Sequence, residues 1–273
     1  MTSTTPSLRK HSQEIPLSTS DTGIIVTHDG PIATITIDRP SVRNAFDLAA
    51  ARSLMAAVDD IEQSKDTLVA IITGGDGNAF CAGADLRARE RGEPRASIEP
   101  FGFAGFVRKP RTKPFIAAVN GYAVGGGFEI AMACDLVVAA PNAHFSLPEV
   151  KRGLIGAGDC LPFLAARIPH AIAAELALTG RQLTAQEALT LGLVNTVADD
   201  ALKSARSFAE QIIANAPLAV QATLKLLNTL KSVTPAGYYA HADAVQAQLL
   251  GTADAAEGSR SFIEKRPPVW TGA

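Results

Sequence analysis

An excess of either charge is missing from this sequence. Twenty-five Lys and Arg face 27 Asp and Glu, a net charge of -2. Such a balance supplies no electrostatic reason to bind nucleic acid or an anionic membrane, so any anionic ligand has to be held by local features. Long apolar runs are missing too. No stretch approaches the roughly 20 residues needed to span a bilayer, although 47% of the residues are apolar, and a soluble, cytoplasmic protein is expected. Cysteine is scarce. Cys81, Cys134 and Cys160 are odd in number and lack metal-type spacing, which points to reduced thiols and no metal site. Cys81 has no neighbouring base in sequence to activate it as a nucleophile. The nucleotide-binding glycine motifs are incomplete. Gly75-Asp76-Gly77 follows an apolar run, but Phe80 stands where a dinucleotide fingerprint needs its third glycine, and no Gly-Lys-Ser/Thr loop occurs. A nicotinamide-dependent oxidoreductase is thereby disfavoured.

What is present suffices for a large core. A chain of 273 residues buries roughly three quarters of its unfolded surface. Residues 1–22 are rich in Ser and Thr, without apolar periodicity, and read as a disordered tail rather than a targeting segment. Residues 23–198 form a mixed α/β section and 199–273 a helical one. Ile24 to Thr27 and Ile32 to Ile37 predict a β-hairpin with His28 in its turn. Asp47 is placed to cap a helix running to about Glu62, and Leu68 to Thr73 predicts a buried strand. Arg87 to Arg111, broken by glycine and proline, reads either as a mobile surface segment covering something or as a tolerated insertion. Leu136 to Ala140 and Ala143 to Ser146 predict strands, the second closed by Pro148-Glu149-Val150, and Gly153, Gly156 and Gly158 mark a close turn. Helices are expected near Leu161 and from Ala171 to Leu178, and Thr184-Ala185-Gln186-Glu187 is a capping-box sequence. Val194 to Val197 ends the strands. Helical segments follow over Asp199–Ala214, Pro217–Leu230, Pro235–Leu250 and Thr252–Ile263, serving either oligomerisation or an internal core.

The chemistry concentrates between Lys113 and Asp135. Phe115 to Val119 reads as a buried strand closed by Asn120-Gly121, and Gly125, Gly126 and Gly127 precede a helical run from Phe128 to Ala133. Residues without a Cβ let a ligand approach the main chain, and the first N–H groups of a helix have no intrahelical acceptor. Such an end attracts negative charge, including charge that develops only in a transition state. Gly83-Ala84 offers a second place where main-chain N–H groups are presented. Glu129 and Glu149 stand close to these loops in sequence, although each has a plainer reading. A first-turn acid stabilises a helix dipole, and a carboxylate after a proline is commonly a solvated loop residue.

Taken together, these blocks resemble the crotonase, or enoyl-CoA hydratase/isomerase, superfamily. The matching residues are Arg39-Pro40 with Asn44-Ala45, Ala79 through Leu86, Lys113 through Asp135 and Phe145 through Glu149. Leu178-Thr179-Gly180, Ala188 to Val194 and Phe262 through Pro267 extend the match. It covers roughly Gly23 to Trp270, and its blocks are specific jointly rather than singly.

The resemblance implies an α/β fold, a spiral of ββα repeats with C-terminal helices that trimerise, often into hexamers built from two trimers. It implies a CoA-thioester substrate of the kind met in fatty acid metabolism and no separate cofactor. Carried over by position, the N–H groups of Ala84 and Gly126 form an oxyanion hole. Glu129 and Glu149 match the paired glutamates of the hydratases, with Glu149 as principal base and acid and Glu129 holding the water. CoA is met by Ser41, Val42 and Arg43 and by Ala82, Ala84, Asp85, Leu86 and Arg87. Phe262 and Lys265 match positions that contact the nucleotide end from a neighbouring subunit. For Arg43, Arg87 and Lys265 a solvated surface charge is the plainer alternative. The chain departs from the hydratase pattern at Asp159 and Cys160, and Phe128 is bulkier than usual, which leaves the acyl group open. The expected reaction is hydration of a trans-2-enoyl-CoA. Another crotonase reaction, such as dehydration of a carnitinyl-like hydroxyacyl-CoA or double-bond isomerisation, and an idle acyl-CoA-binding scaffold are the alternatives.

Overall fold

The computed structural model describes residues 22–152, 160–229, 244–245, 247–249 and 251–273, with the side chains of Ser259, Phe262 and Ile263 excepted. The expected N-terminal tail up to residue 21, the glycine turn at 153–158, Asp159 and most of the helix expected over Pro235–Leu250 lie outside the described residues.

Two sheets carry the fold. The larger has the strand order β1 (Ile24–Asp29), β2 (Ile32–Ile37), β3 (Val69–Gly74), β7 (Phe115–Val119), β9 (Leu136–Ala139) and β12 (Thr196–Val197). β1 and β2 pair antiparallel, and every later pairing in this sheet is parallel. Both β3 and β7 are buried along their whole length. That is why they read as unbroken apolar runs: a parallel sheet is covered on both faces, so neither face needs polar residues. On one face lies α1 (Leu48–Gln63), which buries Ala50, Ala51, Leu54, Ala57, Val58 and Ile61. On the other lies α7 (Ala201–Ile213), whose Ala201, Ala205 and Ala209 recur every four residues and pack with Val69, Ile71, Ile116, Ala118 and Val138. The first helix after Asp199 therefore serves the core of the sheet.

The second sheet has the order β11 (Gln182–Thr184), β10 (His144–Ser146), β8 (Tyr122–Val124) and β4 (Ala79–Cys81). β4, β8 and β10 are parallel neighbours, whereas β11 joins antiparallel. Three successive units are thus built alike. β3 and β4 lead to α2 (Leu86–Glu90), β7 and β8 to α3 (Gly126–Ala133), and β9 and β10 to a 3-10 turn (Pro148–Arg152) ahead of α4 (Cys160–Arg167). In each unit the first strand extends the large sheet and the second extends the small one. This is the ββα spiral. α5 (His170–Thr179), α6 (Ala185–Thr190), α8 (Pro217–Thr229) and α9 (Ala253–Glu264) are further helices, and none of the described helices is long and apolar enough to cross a membrane.

Local signals were met where they depend on neighbouring residues. Asp47 caps α1 by accepting from Ala50 N at 2.8 Å. Thr184 and Glu187 close a reciprocal box at α6, with Thr184 N donating to Glu187 Oε2 at 2.8 Å and Glu187 N donating to Thr184 Oγ1 at 3.2 Å. Three expectations are corrected. His28 lies in β1 rather than in the turn, because the pairing continues to Asp29 opposite Ile32 and leaves a tighter connection. α3 begins at Gly126, two residues before the expected start. Arg87–Arg111 is not a loose cover. It contains all but the first residue of α2 and a hairpin of β5 (Ser97–Ile98) with β6 (Gly102–Phe103), and it buries Ala96, Ala104, Phe106 and Val107. Lys109 pairs with Asp59 of α1 at 2.8 Å. The Arg111 guanidinium lies over the rings of Phe106 and Phe115 and donates to Ala133 O. The bonds to Asp59 and Ala133 are long-range, which is why irregular local composition concealed them.

Candidate active site

The register of the small sheet assembles the site. Cys81, Ala123 and Phe145 stand opposite one another on β4, β8 and β10. The chain leaves all three parallel strands at the same edge, with neighbouring strands about 4.8 Å apart. Ala84, Gly126 and Glu149 each follow a few residues later. The strand order therefore brings together residues that are far apart in sequence.

Ala84 forms an isolated parallel bridge with Phe46. Phe46 N donates to Gly83 O and Asp85 N donates to Phe46 O, both at 2.8 Å. Those two bonds use the groups on either side of Ala84 and turn its own N–H away from Phe46. Gly126 is the first residue of α3, where no intrahelical acceptor exists. Neither Ala84 N nor Gly126 N donates to an acceptor among the described residues. Glycine lets the two loops touch. A Cβ on Gly83, which has φ +86°, would lie 3.2 Å from Gly126 N and 2.8 Å from Val124 O. One on Gly127 would overlap Cys81 O.

The peptide between Gly125 and Gly126 is enclosed by two groups. A Cβ on Gly125 would stand 2.7 Å from Glu149 Oε1, and one on Gly126 would overlap the Phe103 ring. A carboxylate and an aromatic ring thus crowd the two α-carbons of the peptide that carries the Gly126 N–H. Gly125 N in turn donates to Ser146 O at 2.9 Å, tying the start of α3 to β10. Glu149 is half-buried in the 3-10 turn after β10. Glu129 lies in the first turn of α3, only 4% exposed, and its N–H donates to Gly125 O at 3.0 Å. The Cys160 thiol senses both acids. Burial pushes it well above the ordinary thiol range, and the charges of Glu129 and then Glu149 push it further. Cys160 is fully buried at the start of α4, next to Asp159, which lies outside the described residues. Phe128 faces the core, its ring 5.2 Å from that of Phe145.

The residues expected to meet CoA fall into two groups. Ser41 and Val42 sit in a 3-10 turn (Pro40–Val42), and Arg43 follows with φ +54°. Ala82 N donates to Arg43 O at 3.1 Å, so this turn lies beside the segment Ala82–Arg87. Asp85 is committed to capping α2, accepting from Arg87 N at 2.9 Å and Ala88 N at 3.3 Å. Leu86, Arg87, Ser41 and Arg43 are exposed around Ala84, which is itself exposed. Lys265 stands apart. It follows α9 with φ +52°, and no hydrogen bond or ion pair among the described residues joins it to this rim. The Phe262 side chain lies outside the described residues.

Phe103 escaped the sequence reading. Its ring packs edge-on to Phe46 with centroids 5.9 Å apart and closes the space beside Gly126. No local pattern marks it, because both partners lie on other units of the spiral.

Comparisons with known proteins agree with this geometry. The family described as Enoyl-CoA hydratase/isomerase matches residues 27–273. Carnitinyl-CoA dehydratase from Salmonella typhi is 43% identical over 256 residues, covering 90% of this chain and 97% of that protein. The crystal structure of enoyl-CoA hydratase from Mycobacterium tuberculosis H37Rv matches at 45% identity with a TM-score of 0.88, covering 92% of this chain and 99% of that one. The structure of carnitinyl-CoA hydratase from Mycobacterium avium matches at 40% identity with a TM-score of 0.74, over 92% and 99% of the two chains.

Proposed function

The chain belongs to the enoyl-CoA hydratase/isomerase family, and from that premise we propose that it is a hydro-lyase adding water across the 2,3 double bond of a trans-2-enoyl-CoA. The observation that carries this reading is the meeting of the Ala84 and Gly126 loops with Glu149 against the Gly125–Gly126 peptide. The thioester oxygen accepts from Ala84 N–H and Gly126 N–H. As water bonds to C3, Glu149 takes its proton, and the electron pair of the double bond moves onto the thioester oxygen. Two fixed dipoles stabilise that enolate-like charge. One donor in such a hole is worth on the order of a hundredfold in rate. The enolate then takes a proton at C2 from Glu149, while Glu129 holds and polarises the water. Addition of water is redox-neutral and the proton that Glu149 takes from water is the one it returns at C2, so the scheme calls for no metal or redox cofactor, and CoA arrives as part of the substrate.

Ser41–Arg43 and Ala82–Arg87 form the CoA rim, with Phe262 and Lys265 supplied from a neighbouring subunit of a trimer or a hexamer in the cytoplasm. The same site run in reverse dehydrates a 3-hydroxyacyl-CoA, and the identity to a carnitinyl-CoA dehydratase favours a second reading in which the acyl group carries a 4-trimethylammonio substituent.

Both readings are tested by incubating the protein with crotonyl-CoA, a series of longer enoyl-CoAs and the 4-trimethylammonio derivative of crotonyl-CoA, following loss of the conjugated absorbance. Glu149→Gln and Glu129→Gln should each lower kcat by two to four orders of magnitude, the usual scale for acid–base groups. Unchanged activity in both variants rejects the mechanism, and no turnover of any of these substrates by the parent leaves the idle scaffold.

A further inference from the structure

The Asn44 carboxamide touches none of the groups assigned to the reaction, yet it fastens together the pieces that hold one of them. Asn44 is 4% exposed and has φ +60°, in the left-handed region directly after Arg43 at φ +54°. Its Oδ1 accepts from Arg39 N and its Nδ2 donates to Ala79 O, each at 2.7 Å. The first bond closes the loop on itself. The second ties that loop to the start of β4.

From this rivet onward, residues 43–46 run beside residues 79–85. Ala82 N donates to Arg43 O, Phe46 N to Gly83 O and Asp85 N to Phe46 O. The Gly83–Ala84 peptide has no large side chain to orient it, so these main-chain bonds set the direction of the Ala84 N–H. The loop is braced at its other end by the Arg39 guanidinium, which donates to Ala45 O at 2.6 Å and pairs with Asp47, the cap of α1. Two consecutive non-glycine residues in the left-handed region persist only where their surroundings over-determine them. The carboxamide of Asn44 does so here together with the main-chain bonds of Arg43 N to Pro40 O and Asn44 N to Arg39 O, and it is the side chain that links the loop to β4.

We infer that Asn44 is a positioning residue: by holding residues 43–46 against β4, its carboxamide aims the Ala84 N–H at the thioester oxygen and so controls kcat. The inference rests on the reading of Ala84 as an oxyanion donor.

Asn44→Gly removes the carboxamide while keeping a residue at ease with φ +60°. Asn44→Asp also accepts that conformation and keeps an acceptor for Arg39 N, but it sets a carboxylate oxygen against Ala79 O in place of a donor. The readouts are kcat and KM for crotonyl-CoA, and the infrared carbonyl band of bound butyryl-CoA labelled with carbon-13 at the thioester. Both variants should lose on the order of a hundredfold in kcat, the scale of one oxyanion donor, with KM within about threefold of wild type. The downward shift of the bound carbonyl band should shrink in both. Loss of fold alone would not move that band in the folded fraction, and if Asn44→Gly does not fold, Asn44→Asp carries the same comparison. Wild-type kcat and an unmoved band in the variants overturn the inference, as does a loss confined to KM. A wild-type protein whose bound thioester shows no shift overturns the oxyanion assignment itself.

Discussion

Replacing Gly125 by alanine should harm the chemistry more than the fold. Gly125 has φ +54° and ψ -121°, a conformation that costs an L-residue on the order of 1–3 kcal/mol. The added Cβ would stand 2.7 Å from Glu149 Oε1. Ordinary contact begins near 3.4 Å, so the carboxylate, or the peptide bearing the Gly126 N–H, must yield by about 0.7 Å. Both are assigned to the reaction, and a misplacement of about 1 Å costs on the order of a hundredfold. We therefore expect kcat for crotonyl-CoA to fall by roughly that factor. The melting temperature should fall by roughly 2–12 °C, the backbone cost taken at about 2–4 °C for each kcal/mol. Gly30 supplies the control. It has the same φ of +54°, in the β1–β2 turn, but a Cβ there meets nothing within 4 Å. Gly30→Ala should lose about 1 kcal/mol of stability and keep wild-type kcat. The assay is loss of enoyl thioester absorbance alongside thermal denaturation of both variants. If Gly125→Ala keeps kcat within about threefold, or if Gly30→Ala loses as much, the assignment of Glu149 across the Gly125–Gly126 peptide is wrong.

Burial pushes the Cys81 and Cys134 thiols up to about 12, and Cys160 also lies well above its ordinary range. The native protein at pH 8 should therefore be inert to a disulfide reagent that titrates all three thiols in guanidinium, and a fast-reacting native thiol would contradict the buried placement. The C-terminal segment should respond to acid. Arg266 and Val269 N hold the Glu257 carboxyl down at about 2 against an ordinary 4.5. A depressed carboxylate stabilises the fold above its unfolded value, and that contribution is lost as pH falls from about 4.5 through 2. Trp270, the only tryptophan, donates to Ala214 O at 2.8 Å and reports the segment by fluorescence. Its acid transition should shift in Glu257→Gln, and an unchanged profile would refute the linkage.

How much was legible in the sequence depends on the range of the interaction involved. β3 and β7 were readable because burial on both faces leaves apolar runs, β2 because its β-branched residues flank a turn sequence, and the caps at Asp47 and Thr184 because each involves residues within three positions. β4 and β8 were not read as strands. At three residues each they are too short to show a period, and they exist through pairing with each other and with β10. The hairpin that brings Phe103 to Gly126 was hidden for the same reason. Its anchors, Lys109 on Asp59 and Arg111 on Phe115 among them, are distant or masked by mixed local composition.

The sequence by itself determined which local groups were on offer: main-chain donors freed by glycine and alanine at Ala84 and Gly126, and acids at Glu129 and Glu149. Only the tertiary structure decided that Ala84, Gly126 and Glu149 meet. Three short parallel strands had to pair in one register, with Cys81, Ala123 and Phe145 abreast, before their exits could share an edge. Strand pairing of that kind is a non-local choice, driven by covering both sheets at once, and no window of neighbouring residues contains it.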